Sequence, residues 1–180
     1  TYRLDGSRNL EETWTYYNHD RIKNLVETST RKNYNPVDKI YATLTTTYDY
    51  DDNLGKPLAV TVNDGISDRI TRFTYDDKGN IKTKVQEFND NLKTEIFYDA
   101  DYQTYPVKQT IYGVRDADGN VTDIVTEAGY DYLTGLKLWE KDARGYTTSY
   151  EYDKLNRVTK VVLPDDDNIS TNNPYREYKF

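Results

Sequence analysis

The chain has 180 residues and a formal net charge of −7, with 24 Lys and Arg set against 31 Asp and Glu. A surface that neutralises phosphates needs the opposite balance, which argues against nucleic acid or anionic membrane partners. Cysteine is absent, so there is neither a disulfide nor a thiolate metal site.

Leu, Ile, Val and Phe supply only about a fifth of the residues, the edge of disordered composition, but 19 Tyr and 2 Trp restore the apolar surface that a fold needs. Abundant Tyr and Thr with little Leu and Ala favour pleated, half-buried surfaces, and the chain reads as all-β. No window approaches the roughly 18 apolar residues of a membrane span. The first residues do not resemble a secretion signal. No membrane insertion is expected, and an opening on "TYRLDG" reads as mid-pattern, a piece of something longer.

The stretch "SRNLEETWTYY" (7–17) carries Thr13, Thr15 and adjacent tyrosines, which suit a strand better than a helix. In "YYNHDRIKNLV", Tyr17-Asn18 reads as a degenerate form of a motif that is clear further on. The one histidine, His19, sits there beside Asp20. With no Cys, and no Ser in a nucleophile-elbow setting, it reads as a turn residue, and no catalytic residue is assigned. Residues 1–46 are expected to be a degenerate repeat or a flanking β region.

An aromatic–Asp dipeptide then recurs as Tyr48-Asp49, Tyr75-Asp76, Tyr98-Asp99, Tyr130-Asp131 and Tyr152-Asp153, at intervals of 27, 23, 32 and 22 residues. Such spacing marks a repeat architecture. The unit "FTYDDKGNIKTKV" (73–85) gives the physical reason. Thr71, Phe73 and Tyr75 alternate with Arg72 and Thr74 before the dipeptide, and Ile81, Thr83 and Val85 alternate with Lys82, Lys84 and Gln86 after it. A period of two means strands. Between them, the Asp76 carboxylate can accept backbone N–H groups and Gly79 can supply a positive φ, so the unit is a hairpin. The same logic pairs Asp153 with Asn156, Asp131 with Gly135 and, more loosely, Asp49 with Asn53 and Gly55.

In "DADGNVTDIVTE", Asp116, Asp118, Asn120 and Glu127 fall on calcium-loop positions, but Val121 stands where such a loop needs glycine. A β-turn at Asp118-Gly119 explains the residues without a metal. Asn120-Val121-Thr122 and Asn168-Ile169-Ser170 are glycosylation sequons at the frequency expected by chance. In "RGYTTSYEYD", Thr148, Tyr150 and Tyr152 alternate with Thr147, Ser149 and Glu151, again a strand. "LPDDDNISTNNP" (163–174) reads as a polar loop, and "YREYKF" as the first strand of a further unit. The chain is therefore divided into 1–46, repeats over 47–163, and 164–180.

At these residues the sequence resembles the RHS/YD-repeat family, best in "DARGYTTSYEYDKLNRVTKVVLP", where Gly145, Tyr150, Tyr152, Asp153, Asn156 and Arg157 fall on family positions. Asn156 stands where glycine is usual. "FYDADYQTYPVKQTIYG", with Tyr105-Pro106 after Tyr98-Asp99, looks like a variant found in the B and C components of insecticidal toxin complexes. The family includes bacterial polymorphic toxins and teneurins. The resemblance implies a secreted or cell-surface protein whose repeats form a curved, shell-like antiparallel sheet, enclosing or presenting a toxin or other domain. It implies no cofactor, and it makes the neighbouring repeats of a parent chain the first partners.

The expected function is structural, not enzymatic. Tyr75, Tyr98, Tyr130 and Tyr152 are expected to pack the wall. Asp76, Asp99, Asp131 and Asp153 begin its turns, and Gly79 and Gly135 complete them. The alternative is a glycan-binding or adhesion module that uses exposed tyrosines to stack on sugar rings.

Overall fold

A computed structural model describes residues 10–18, 23–35, 40–88, 92–164 and 174–180. The positions of His19 and Asp20, of the acidic run 165–167 and of the sequon at Asn168 lie outside them. The protein is all-β: among the described residues there are thirteen strands and no helix.

The chain divides into two compact units, residues 1–93 and 94–180. The first holds β1 (Leu10–Asn18), β2 (Lys23–Asn35), β3 (Ile40–Tyr50), β4 (Pro57–Asn63), β5 (Asp68–Tyr75) and β6 (Ile81–Gln86). The second holds most of β7 (Leu92–Tyr98), then β8 (Pro106–Arg115), β9 (Val121–Tyr130), β10 (Lys137–Lys141), β11 (Thr147–Tyr152), β12 (Val158–Val162) and β13 (Tyr175–Glu177).

Within each unit every strand pairs antiparallel with its sequence neighbour, so each is a meander of hairpins. Up to β12 that order follows from the loops, which are too short for anything but a direct return. In β5 exposed Arg72 and Thr74 alternate with half-buried Thr71, Phe73 and Tyr75. On the exposed face the hydroxyls of Thr74 and Thr83 meet across β5 and β6 at 2.6 Å.

Apolar burial is thin. Tyr50 and Ala59 are the buried apolar residues among those described, joined by buried Asp99 and Thr110, and none of their large side chains is fully enclosed. The cohesion that a thick core supplies elsewhere must come from the backbone ladders and from polar contacts at the turns.

Candidate functional site

The recurrent site is the turn, and seven turns share one construction. The N–H of the leading aspartate donates to a carbonyl across the loop, as in Asp51 to Lys56, Asp76 to Asn80, Asp99 to Tyr105 and Asp153 to Arg157, each at 2.9 Å. The aspartate's own carbonyl accepts the N–H of a residue three or four places on, which has a positive φ: Gly55, Gly79, Gln103, Gly119, Gly135, Gly145 or Asn156. The carboxylate fills the space between. Asp76 accepts the N–H groups of Lys78 and Asn80 at 3.0 and 2.7 Å. Asp99, buried, gathers those of Tyr102, Thr104 and Tyr105 at 2.7–2.8 Å.

These donors set the acidity. At Asp76 burial works to raise the pKa, but bonds from the Asn80 side chain and from neighbouring N–H groups outweigh it and leave the carboxyl below its usual value. At Asp99 burial is likewise outweighed, here by the N–H groups of Tyr105, Tyr102 and Thr104. The Arg157 N–H and then its guanidinium lower Asp153, with Arg157 Nε 2.7 Å from the carboxylate. Asp131 accepts the N–H of Leu133 at 2.8 Å.

The first of these turns departs from the sequence expectation. Its aspartate is Asp51, whose carboxylate accepts the N–H groups of Asn53 and Leu54 at 2.8 Å. Tyr48 and Asp49 lie two residues back within β3, Tyr48 opposite Val60 and Asp49 opposite Ala59. In "YDYDD" the second dipeptide, Tyr50-Asp51, takes the turn, because only there does Gly55 fall four residues later. Two more turns of this kind, Asp116–Gly119 and Asp142–Gly145, follow Arg115 and Lys141, so a search for Tyr-Asp passes over both of them. Asp116 is occupied by turn chemistry: its carboxylate takes the Asp118 and Asn120 N–H groups at 2.9 Å and the Asn120 side chain at 3.0 Å.

Each tyrosine before a turn is marked by a one-residue bulge in its partner strand. Thr74 faces Thr83 but Tyr75 faces Ile81; Phe97 faces Lys108 but Tyr98 faces Pro106; Glu151 faces Lys160 but Tyr152 faces Val158. Tyr50 opposite Pro57, and Tyr130 opposite Lys137, repeat the pattern. So does Tyr16 opposite Val26 in β1 and β2, one residue before the expected Tyr17.

The tyrosine hydroxyls then reach the neighbouring hairpin. Tyr50 donates to the Val26 carbonyl at 2.8 Å, Tyr75 to that of Pro57 at 2.7 Å and Tyr152 to that of Lys137 at 2.7 Å. Tyr105 stacks on Tyr130 with ring centres 5.2 Å apart and on Tyr132 at 5.8 Å. Lys56 donates to the Gly79 carbonyl and lies 5.4 Å from the Tyr75 ring centre.

In the second unit Glu140 accepts Lys137 Nζ at 2.8 Å and the Tyr150 hydroxyl at 2.5 Å. The bond to Glu140 pushes the Tyr150 phenol up to about 12. Lys137 and Glu140 also line an open groove of about 430 Å³ with Tyr130, Tyr146 and Thr148. Among the described residues, no group of three or more acidic or histidine side chains could hold a metal ion.

Residues 136–167 match the RHS repeat family. That stretch is similar to an RHS repeat. It spans β10 to β12 and contains the Asp142 and Asp153 turns, together with Tyr150, Tyr152, Asn156 and Arg157. No curated protein matches the sequence significantly. Among solved structures, the crystal structure of TcdB2-TccC3-Cdc42 superposes with a TM-score of 0.54 over 91% of this chain at 13% identity. That of TcdB2-TccC3-TEV gives 0.53 over 86%, also at 13%. This chain spans 9% and 8% of those two chains. At that identity the likeness is one of fold.

Proposed function

We propose that this chain is a length of β wall in a large secreted or cell-surface protein, where it encloses or presents a toxin or another domain. The observation that carries this reading is the serial turn. One Asp-led loop, with one bulge and one tyrosine before it, recurs along a chain that is similar to an RHS repeat over residues 136–167. The bulged Tyr16 hairpin supports extending the repeat into residues 10–46. In this reading Tyr50, Tyr75, Tyr98, Tyr130 and Tyr152 are wall-packing rings. Asp51, Asp76, Asp99, Asp131 and Asp153 begin the turns, and Gly79 and Gly135, with Asn156, complete them. Tyr105-Pro106 and Arg157 brace two of the loops. The likeness to TcdB2-TccC3 chains favours a toxin-complex parent, with neighbouring repeats and an enclosed domain as its partners. No catalytic role and no cofactor is assigned to it.

The test uses the full parent protein under limited proteolysis. The reading expects the domain next to this segment to resist cleavage until the wall is opened by mild denaturant. Cleavage of that domain at the same rate before and after opening rejects enclosure.

A second reading, glycan binding, draws on Tyr102 and Tyr132, which stay 60% and 42% exposed with ring centres 5.8 Å apart. Titration of the chain with oligosaccharides separates the two. Under the wall reading no affinity is lost when Tyr102 and Tyr132 become Ala, because none is present.

A further inference from the structure

Three corners between hairpins share one geometry. Between β2 and β3 the backbone ladder ends at Thr28 opposite Thr47, between β4 and β5 at Ala59 opposite Arg72, and between β10 and β11 at Trp139 opposite Ser149. In every case the carbonyl two residues before the last pair, that of Val26, Pro57 or Lys137, accepts the hydroxyl of the tyrosine three residues beyond it, Tyr50, Tyr75 or Tyr152. Each acceptor is also the residue that faces the preceding hairpin's bulge tyrosine: Val26 faces Tyr16, Pro57 faces Tyr50 and Lys137 faces Tyr130.

We infer that the tyrosine hydroxyl is a strut that fixes how far successive hairpins splay apart at their Asp-turn ends. A β ladder holds strands about 4.8 Å apart. Where it stops, the next carbonyl needs another donor and the strands need another spacer. A phenol supplies both. Its rigid ring sets the separation and its O–H binds the carbonyl, whereas a phenylalanine of the same shape sets only the first. The two register devices are therefore coupled. The bulge brings a chosen carbonyl opposite one tyrosine, and the next tyrosine bonds to that carbonyl, so at these three corners a hairpin is aligned on the one before it.

The fourth corner is a built-in comparison. The β8–β9 ladder ends at Lys108 opposite Glu127, with Pro106 and Tyr130 at the same offsets, but there the Tyr130 ring is held by stacking on Tyr105. The strut deepens the wall reading, and its meaning for a wall rests on that reading. Its test concerns the hairpins alone, so it can fail while enclosure stands, or the reverse.

The experiment is amide hydrogen exchange on the full 180-residue chain. Tyr75→Phe is expected to speed exchange about tenfold at Val60 and Thr71, the last cross-bonded pair of the β4–β5 ladder, the effect of losing one hydrogen bond. Tyr152→Phe should do the same at Glu140 and Thr148, the last cross-bonded pair of the β10–β11 ladder, and Tyr130→Phe should change the β8–β9 corner less than about twofold. Unchanged exchange in both strut variants, or an equal effect at Tyr130, overturns the proposal. Should a variant not fold, the wild-type Pro57 and Lys137 carbonyl carbons decide it. Deuteration of a bonded hydroxyl shifts their resonances, and no shift refutes the strut.

Discussion

Gly129 illustrates how one residue is dictated by its neighbour across the sheet. It stands in β9 directly opposite Trp139, and a Cβ built on it would overlap the indole ring. Glycine in a strand is costly, so its presence there signals close approach rather than a turn. Gly129→Val is expected to destabilise the chain by about 1–2 kcal/mol, the low range for overpacking because Trp139 is 37% exposed and can give way. Adding Trp139→Ala should recover most of that loss in a double-mutant cycle read by thermal melting. Additive effects would show that the ring is not what the glycine serves. Nothing in the one-dimensional pattern marks Gly129, because the residue that explains it is ten positions away and faces it only through the β9–β10 register.

At the scale of the hairpin, strand and turn were legible for separate reasons. Alternation around Phe73 and Tyr75 named the strands, and an aspartate followed by glycine or asparagine named the turn. Gly79 has φ +82° and its Cβ site lies 3.0 Å from Lys56 Nζ, so Gly79→Val combines a left-handed backbone with a β-branched side chain. It should cost about 2 kcal/mol, while Gly79→Asn costs much less, since Asn156 already holds φ 62° in the equivalent place. Equal melting temperatures for the two variants would contradict this account of the turn. What alternation could not reveal is the bulge. One extra residue in the returning strand leaves composition and period almost untouched, yet it decides which carbonyl meets the tyrosine hydroxyl. Nor could it choose between Tyr48-Asp49 and Tyr50-Asp51, because that choice depends on where the loop's positive-φ glycine falls.

Across the whole molecule the turns act on stability through a shared chemistry. Asp76, Asp99, Asp116 and Asp153 have carboxyls held below their ordinary value, in both units. A carboxyl whose pKa is depressed by folding contributes stability that is present above its unfolded value, about 3.9, and lost as pH falls through the folded one. The melting temperature should thus stay level from pH 8 to about 5 and fall below about pH 4. Thermal melts across that range check it, and a level profile down to pH 2.5 would remove the turn carboxylates from the stability account. The effect should be prominent because so little apolar surface is fully buried to mask it.

By itself the sequence determined the class of structure and its unit. A chain poor in Leu, rich in Tyr and Thr and punctuated by Asp–Gly turns has antiparallel hairpins as its economical fold, since period and turn chemistry are local properties. Its resemblance to RHS repeats was likewise written in consecutive residues, most clearly between Gly145 and Leu163. Only the tertiary structure decided which of two Tyr-Asp dipeptides leads the first of these turns. It alone placed Gly129 under Trp139 and tied Tyr50, Tyr75 and Tyr152 to carbonyls 15 to 24 residues away. Those relations depend on strand register, and a register is a property of two strands together that neither strand encodes alone.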